Sequence, residues 1–109
     1  MARTLINVPT NAKRGDVIEI RALLQHPMET GYRPDLNGKL LARDIVRRFA
    51  CSWSDGASVE PVFSAELYPA IAANPYFSFY FVAASGTLTF TWEGDNGFAQ
   101  TETTALKVT

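Results

Sequence analysis

The chain has 109 residues, a formal net charge of −1, 47% apolar and 19% charged residues. That is enough sequence for one domain with its own core, and too hydrophobic a balance for a disordered chain. The basic residues are scattered, with Arg43 and Arg47-Arg48 beside Asp44 as the nearest approach to a stripe, so nucleic acid is not expected as a partner. One cysteine, Cys51, rules out an internal disulfide framework, and no apolar run is long enough to span a membrane.

Strand-like runs follow one another along the whole chain. Leu5 to Val8 is a short opening strand closed by Pro9. After a turn at Lys13-Arg14-Gly15, Asp16 to Leu24 alternates: Ile18, Ile20, Ala22 and Leu24 share one face, Glu19 and Arg21 the other. The pattern then stops from Leu24 to Ile45. This long polar excursion opens on His26-Pro27-Met28-Glu29-Thr30-Gly31 and holds Asn37-Gly38, a hairpin signal that predicts a small ribbon flanked by Leu36 and Leu40. Loops of that length inside a compact domain are uncommon unless they bind something or are disordered.

Alternation resumes with Phe49, Cys51 and Trp53 on one face, and a turn at Asp55-Gly56 leads to Phe63, Ala65 and Leu67 alternating with Ser64 and Glu66. Tyr76 to Val82 sets Phe77, Phe79 and Phe81 against Tyr76, Ser78 and Tyr80. Past Ser85-Gly86, Leu88, Phe90 and Trp92 oppose Thr87, Thr89 and Thr91, and the Asp95-Asn96-Gly97 turn feeds a last strand, Phe98 to Val108. About seven short strands joined by Gly, Asp and Asn turns predict an all-β, immunoglobulin-like antiparallel sandwich spanning residues 1–109. Leu41 to Val46 is too short to persist as a helix, and Ala70-Ile71-Ala72-Ala73 has room for one helical turn before Asn74-Pro75.

The residues offer no catalytic set. Cys51 shares a face with Phe49 and Trp53, which predicts a buried, inert thiol rather than half of a dyad with His26. His26 and Met28 supply two soft metal ligands with nothing to complete a shell. The carboxylates Glu60, Glu66, Glu93 and Asp95 show no acid–base spacing, and no phosphate-binding glycine loop exists. The chain is therefore expected not to be an enzyme and to need no cofactor. Tyrosines on the outer face of a strand suit a protein interface.

The blocks His26-Pro27-Met28-Glu29-Thr30-Gly31, Arg33, Asp35, Asn37-Gly38-Lys39, Phe49, Val62 to Leu67, Ala73 to Tyr76 and Ser85 to Trp92, in that order, resemble the Z-subunit family of the periplasmic Sox sulfur-oxidation carrier complex. The resemblance implies an immunoglobulin-like sandwich pairing with a Y subunit, whose glycine-rich C-terminal arm carries the sulfur intermediate on a cysteine. This chain ends Ala105-Leu106-Lys107-Val108-Thr109, so that role does not transfer to Cys51. The expectation is a non-catalytic subunit in thiosulfate and sulfur oxidation, forming a heterodimer and docking transiently with the pathway's enzymes. On its own the chain is expected to self-associate. Candidate partner-interface residues are His26, Met28, Glu29, Arg33 and Asp35 in the excursion, and Tyr76, Ser78 and Tyr80 on the aromatic strand. Residues 1–6 lack the pattern of an export signal, so the periplasmic location implied by the family calls for export together with a signal-bearing partner. A standalone periplasmic metal- or ligand-binding sandwich using His26 and Met28 is the alternative.

Overall fold

The structure is a computed structural model that describes residues 3–68 and 73–109. Seven strands form two antiparallel sheets: β1 (Thr4–Asn7), β2 (Val17–Leu24), β3 (Val46–Ser54), β4 (Val59–Glu66), β5 (Tyr76–Val82), β6 (Gly86–Gly94) and β7 (Ala99–Leu106). One sheet runs β1-β2-β5 and the other β4-β3-β6-β7. This is the expected immunoglobulin-like sandwich. Among the described residues its only helical element is a 3₁₀ turn at Asp95–Gly97, where Asn96 takes the left-handed conformation that asparagine tolerates. The one-turn helix expected at Ala70 to Ala73 falls on residues outside those described, Ala73 apart.

Period-2 alternation decides which side chains enter the core. Ile18, Ile20, Ala22 and Leu24 of β2, Phe49 and Cys51 of β3, and Leu88, Phe90 and Trp92 of β6 are all buried. Phe49 sits at the centre. Its ring stacks on Phe77 at 4.7 Å and tilts against Trp92 at 5.2 Å, while Phe63 stacks on Phe79 at 4.8 Å. Such pairs add roughly 0.5–1.5 kcal/mol each beyond the area they bury. The indole Nε1 of Trp92 has no hydrogen-bond partner among the described residues.

Alternation fails at two bulges, each for a visible reason. In β3, Val46 faces Gly94 and Arg48 faces Glu93, so Arg47 is an extra residue and both arginines stay outside between the buried Val46 and Phe49. Cys51 faces Phe63 across β3 and β4, but Ser52 faces Pro61, so Val62 is an extra residue in β4. The bulge turns Val62 and Phe63 both partly inward and accommodates Pro61, which has no N–H to give a ladder.

The excursion between β2 and β3 is ordered and tied at its base. Glu29 and Asp44 exchange N–H to carbonyl bonds of 2.8 Å in both directions. The Asn74 side-chain oxygen accepts the His26 N–H at 2.9 Å, and the Asn74 N–H donates to the His26 carbonyl at 2.8 Å. Further out, the Leu41 N–H reaches the Arg33 carbonyl and Pro34 bridges Leu40, so the Asn37-Gly38 ribbon forms where its turn residues predict it. The molecule is long, 57 × 23 × 20 Å.

Candidate partner interface

The outer surface of the β1-β2-β5 sheet is the most apolar exposed face of the molecule. Register aligns Leu5 with Leu23 and Leu23 with Tyr76, Arg21 with Ser78, Glu19 with Tyr80, and Val17 with Val82. Leu5, Val17, Tyr76, Tyr80 and Val82 are 59, 68, 54, 67 and 60% exposed. Half of the exposed large apolar side chains among the described residues thus share one sheet face. Large exposed apolar patches with polar groups placed among them mark protein interfaces.

A compact polar network lies across this surface. The Ser78 hydroxyl donates to Glu19 Oε2 at 2.6 Å, and Arg21 Nε donates to Glu19 Oε1 at 2.9 Å. The Ser78 bond first, then Arg21, holds the Glu19 carboxyl below its ordinary range. The three polar groups satisfy one another, so covering them by a partner leaves no charge unpaired. Tyr76, Ser78 and Tyr80 fall on this face as their alternation predicts. Leu5, Val17 and Val82 belong with them and were not singled out from sequence, although Val17 shares its parity with Glu19 and Arg21.

The excursion divides differently. His26 and Met28 were expected among residues free for recognition, and their burial corrects this: they are 6% and 5% exposed. His26 Nδ1 accepts the Met28 N–H at 3.0 Å, its ring meets Phe98 edge-on at 5.4 Å, and Nε2 lies 3.7 Å from Asp44. Met28, in the left-handed region with φ 53°, turns its sulfur inward to accept the Val46 N–H at 3.2 Å. Two donor atoms open to the metal-binding alternative, His26 Nδ1 and the Met28 sulfur, are thus engaged in folding. Among the described residues no three His, Cys, Asp or Glu side chains come together as a metal set.

Asp35 is also occupied, since its Oδ1 accepts the N–H groups of Asn37 at 2.8 Å and Lys39 at 3.0 Å, shaping the ribbon turn. Glu29 and Arg33 pair with each other on the surface, which holds the Glu29 carboxyl below its ordinary range. The ribbon exposes three apolar groups that sequence reading did not nominate as contacts, Tyr32, Leu36 and Leu40. Their type, apolar in a polar loop, was the available signal.

Cys51 stands apart from both surfaces. It is 1% exposed, and burial raises its thiol pKa to about 12. At neutral pH it is a protonated core group rather than a nucleophile.

A family model described as "Sulphur oxidation protein SoxZ" matches residues 6–105. No curated protein matches the chain. Among solved structures, a superoxide reductase (neelaredoxin) from Ignicoccus hospitalis superposes with a TM-score of 0.77 at 15% identity, over 99% of this chain and 82% of that one. A putative superoxide reductase from Thermotoga maritima gives 0.75 at 14%, over 97% and 85%. The superoxide reductase from Nanoarchaeum equitans gives 0.68 at 12%, over 94% and 90%. At these identities the likeness is one of fold alone.

Proposed function

The chain belongs to the SoxZ family of sulfur-oxidation proteins, and from that premise we propose that it is the non-catalytic half of a heterodimeric carrier, covering a Y subunit through the outer face of β1, β2 and β5. The family places the chain in a sulfur-oxidation carrier complex. The division of labour has a physical reason. A sulfur chain held on a cysteine arm must be presented to several enzymes in turn, so the arm needs mobility and its support needs rigidity without reactive groups. A sandwich whose single thiol is buried and protonated supplies such a support.

The observation that carries the choice of surface is the cluster of Leu5, Val17, Tyr76, Tyr80 and Val82 on one face around a self-satisfied polar network. The ribbon with its exposed Tyr32, Leu36 and Leu40 is then left for the transient contacts with pathway enzymes. The same proposal has the subunit work in the periplasm, carried there folded on a partner bearing a twin-arginine signal.

Co-expression with a Y subunit and pull-down tests the surface. Leu5→Glu and Val17→Glu each place a charge in the proposed contact and are expected to cut the yield of complex at least tenfold, because a buried unpaired charge costs several kcal/mol. Both residues are exposed in the free chain, so its melting temperature should barely change. A stable complex from the double variant would move the interface elsewhere.

A further inference from the structure

We propose that the free edge of β5 pairs with β5 of a second copy of this chain, making a two-fold dimer with a continuous six-stranded sheet. The proposal concerns the strand's edge, and does not rest on the reading of the sheet's face given above.

Each sheet of the sandwich has two edges, and three of the four are blunted. β1 has only four residues. β4 carries Pro61, a bulge, and Glu60 and Glu66. β7 is a threonine-rich strand with Glu102 in it. β5 is different: Tyr76-Phe77-Ser78-Phe79-Tyr80-Phe81-Val82 has no proline, no charge and no bulge, and among the described residues nothing pairs with its outer side. Native proteins rarely leave such an edge bare, because it is a template for another strand.

The hydrogen-bonding groups point the right way. Pro75 accepts from the Leu24 N–H, and Ala83 bonds Asp16 and Gly15, so odd-numbered residues of this segment face β2. By the alternation of an antiparallel ladder, the N–H and C=O groups of Tyr76, Ser78 and Tyr80 then point outward. The sequence is a palindrome about Ser78. A two-fold axis at that residue sets Ser78 against Ser78, Tyr76 against Tyr80 and Phe77 against Phe79. About six backbone bonds close across it. Every flanking cross-strand pair is aromatic, a favourable combination, and the small central residue leaves room at the axis. Glu19 and Arg21 lie one strand back on β2, so no like charges meet in the new ladder.

The same geometry limits the strength. Glu60 and Glu66 on the neighbouring β4 edges keep the second sheets from joining, which confines contact to one strand and its half-covered rings. That buries on the order of 500 Å² per copy, short of the roughly 800 Å² per partner of a stable interface. The dimer is therefore weak and reversible.

Sedimentation of the purified full chain tests this, with the average mass expected to rise about 1.5-fold, toward that of a dimer, between about 10 μM and 1 mM. Ser78→Pro removes one outward N–H while leaving the β2 ladder whole, and should abolish the increase. In a Cys51→Ala background, Ser78→Cys places two thiols with Cα atoms about 5.5 Å apart, within disulfide reach. Mild oxidation should cross-link it at least tenfold faster than Thr103→Cys on the β7 edge. A monomer at every concentration, a dimer that survives in folded Ser78→Pro, or equal cross-linking at both edges would overturn the proposal. Pairing of this edge only when a Y subunit is added would overturn it too, by giving the edge another occupant. Leu5→Glu and Val17→Glu should leave the dimer intact, so a failed face and a failed edge give different results.

Discussion

Single residues in this sandwich are divided between packing and display, and Cys51 is on the packing side. With its thiol pKa raised to about 12 by burial, thiolate is negligible at neutral pH, so a thiol reagent should label the native protein slowly and the denatured protein at once. Cys51→Ala is expected to cost about 1–2 kcal/mol and leave partner-dependent sulfur oxidation intact. Rapid native labelling, followed by mass spectrometry, would contradict it. His26 and Met28 show where residue type misleads. Both looked like ligands or contacts because they are rare and polarizable. What decides their fate is the backbone: Met28 at φ 53° swings its sulfur onto the Val46 N–H, while its own N–H is accepted by His26. No side-chain pattern announces a left-handed methionine, so that part of the site was illegible in the sequence.

At the scale of elements, the ribbon and its anchors act as one unit. Arg43, in the descending arm, grips Asp95 in the turn before β7 through bonds of 2.9 and 3.0 Å, and Asp95 also accepts the Ile45 N–H at 3.2 Å. Burial pushes the Asp95 carboxyl up, but the Arg43 and Ile45 bonds and the charges of Arg43 and Arg47 together hold it below its ordinary range. A carboxylate whose folded pKa is depressed stabilises the protein above about pH 4, and that stabilisation is lost as pH falls through the folded value. The stability gap between wild type and Asp95→Asn should thus be full at pH 6 and shrink below pH 4, read from urea midpoints. A gap that stays constant from pH 6 to pH 3 would mean the clamp is not electrostatic. The sequence showed these elements well wherever alternation runs unbroken, as in β2, β5 and β6. In β4 the alternation from Phe63 was legible, but not the one added residue that lets Val62 and Phe63 both turn inward. A bulge inserts a residue that two-residue alternation does not anticipate, so the pattern around it gives no count of the extra position. Asp95 was read as turn chemistry alone because its partner lies far away in the chain.

For the whole molecule, the faces matter more than the interior. Two sheets enclose one core, and what remains outside is an apolar sheet face, a bare strand edge and a ribbon. Tyr76, Ser78 and Tyr80 were legible as a face because alternation separates them from three phenylalanines. Leu5 and Val17 were not, because their place beside the tyrosines depends on which strands pair, and strand order is not written locally. Export belongs to this scale as well. If the subunit reaches the periplasm folded against its partner, deleting the partner's twin-arginine signal should strand it in the cytoplasm, with fractionation and immunoblotting as the readout. Its unaided arrival in the periplasm would rule out the shared route.

The pair of tryptophans gives this arrangement an optical signature. Trp92 lies fully buried among phenylalanines with its indole nitrogen unpartnered among the described residues, whereas Trp53 is half-buried, donates to the Ala84 carbonyl at 3.1 Å, and lines the groove beside β5 with Tyr80 and Val82. An indole in a dry apolar pocket emits further to the blue than one touched by water. The chain's fluorescence is therefore a sum of two colours, one reporting only whether the core is intact and the other sensing what lies against the flank of β5. A dissolved quencher will dim the redder component first, and anything seated along that flank will shield it, so assembly can be followed in native protein without a label.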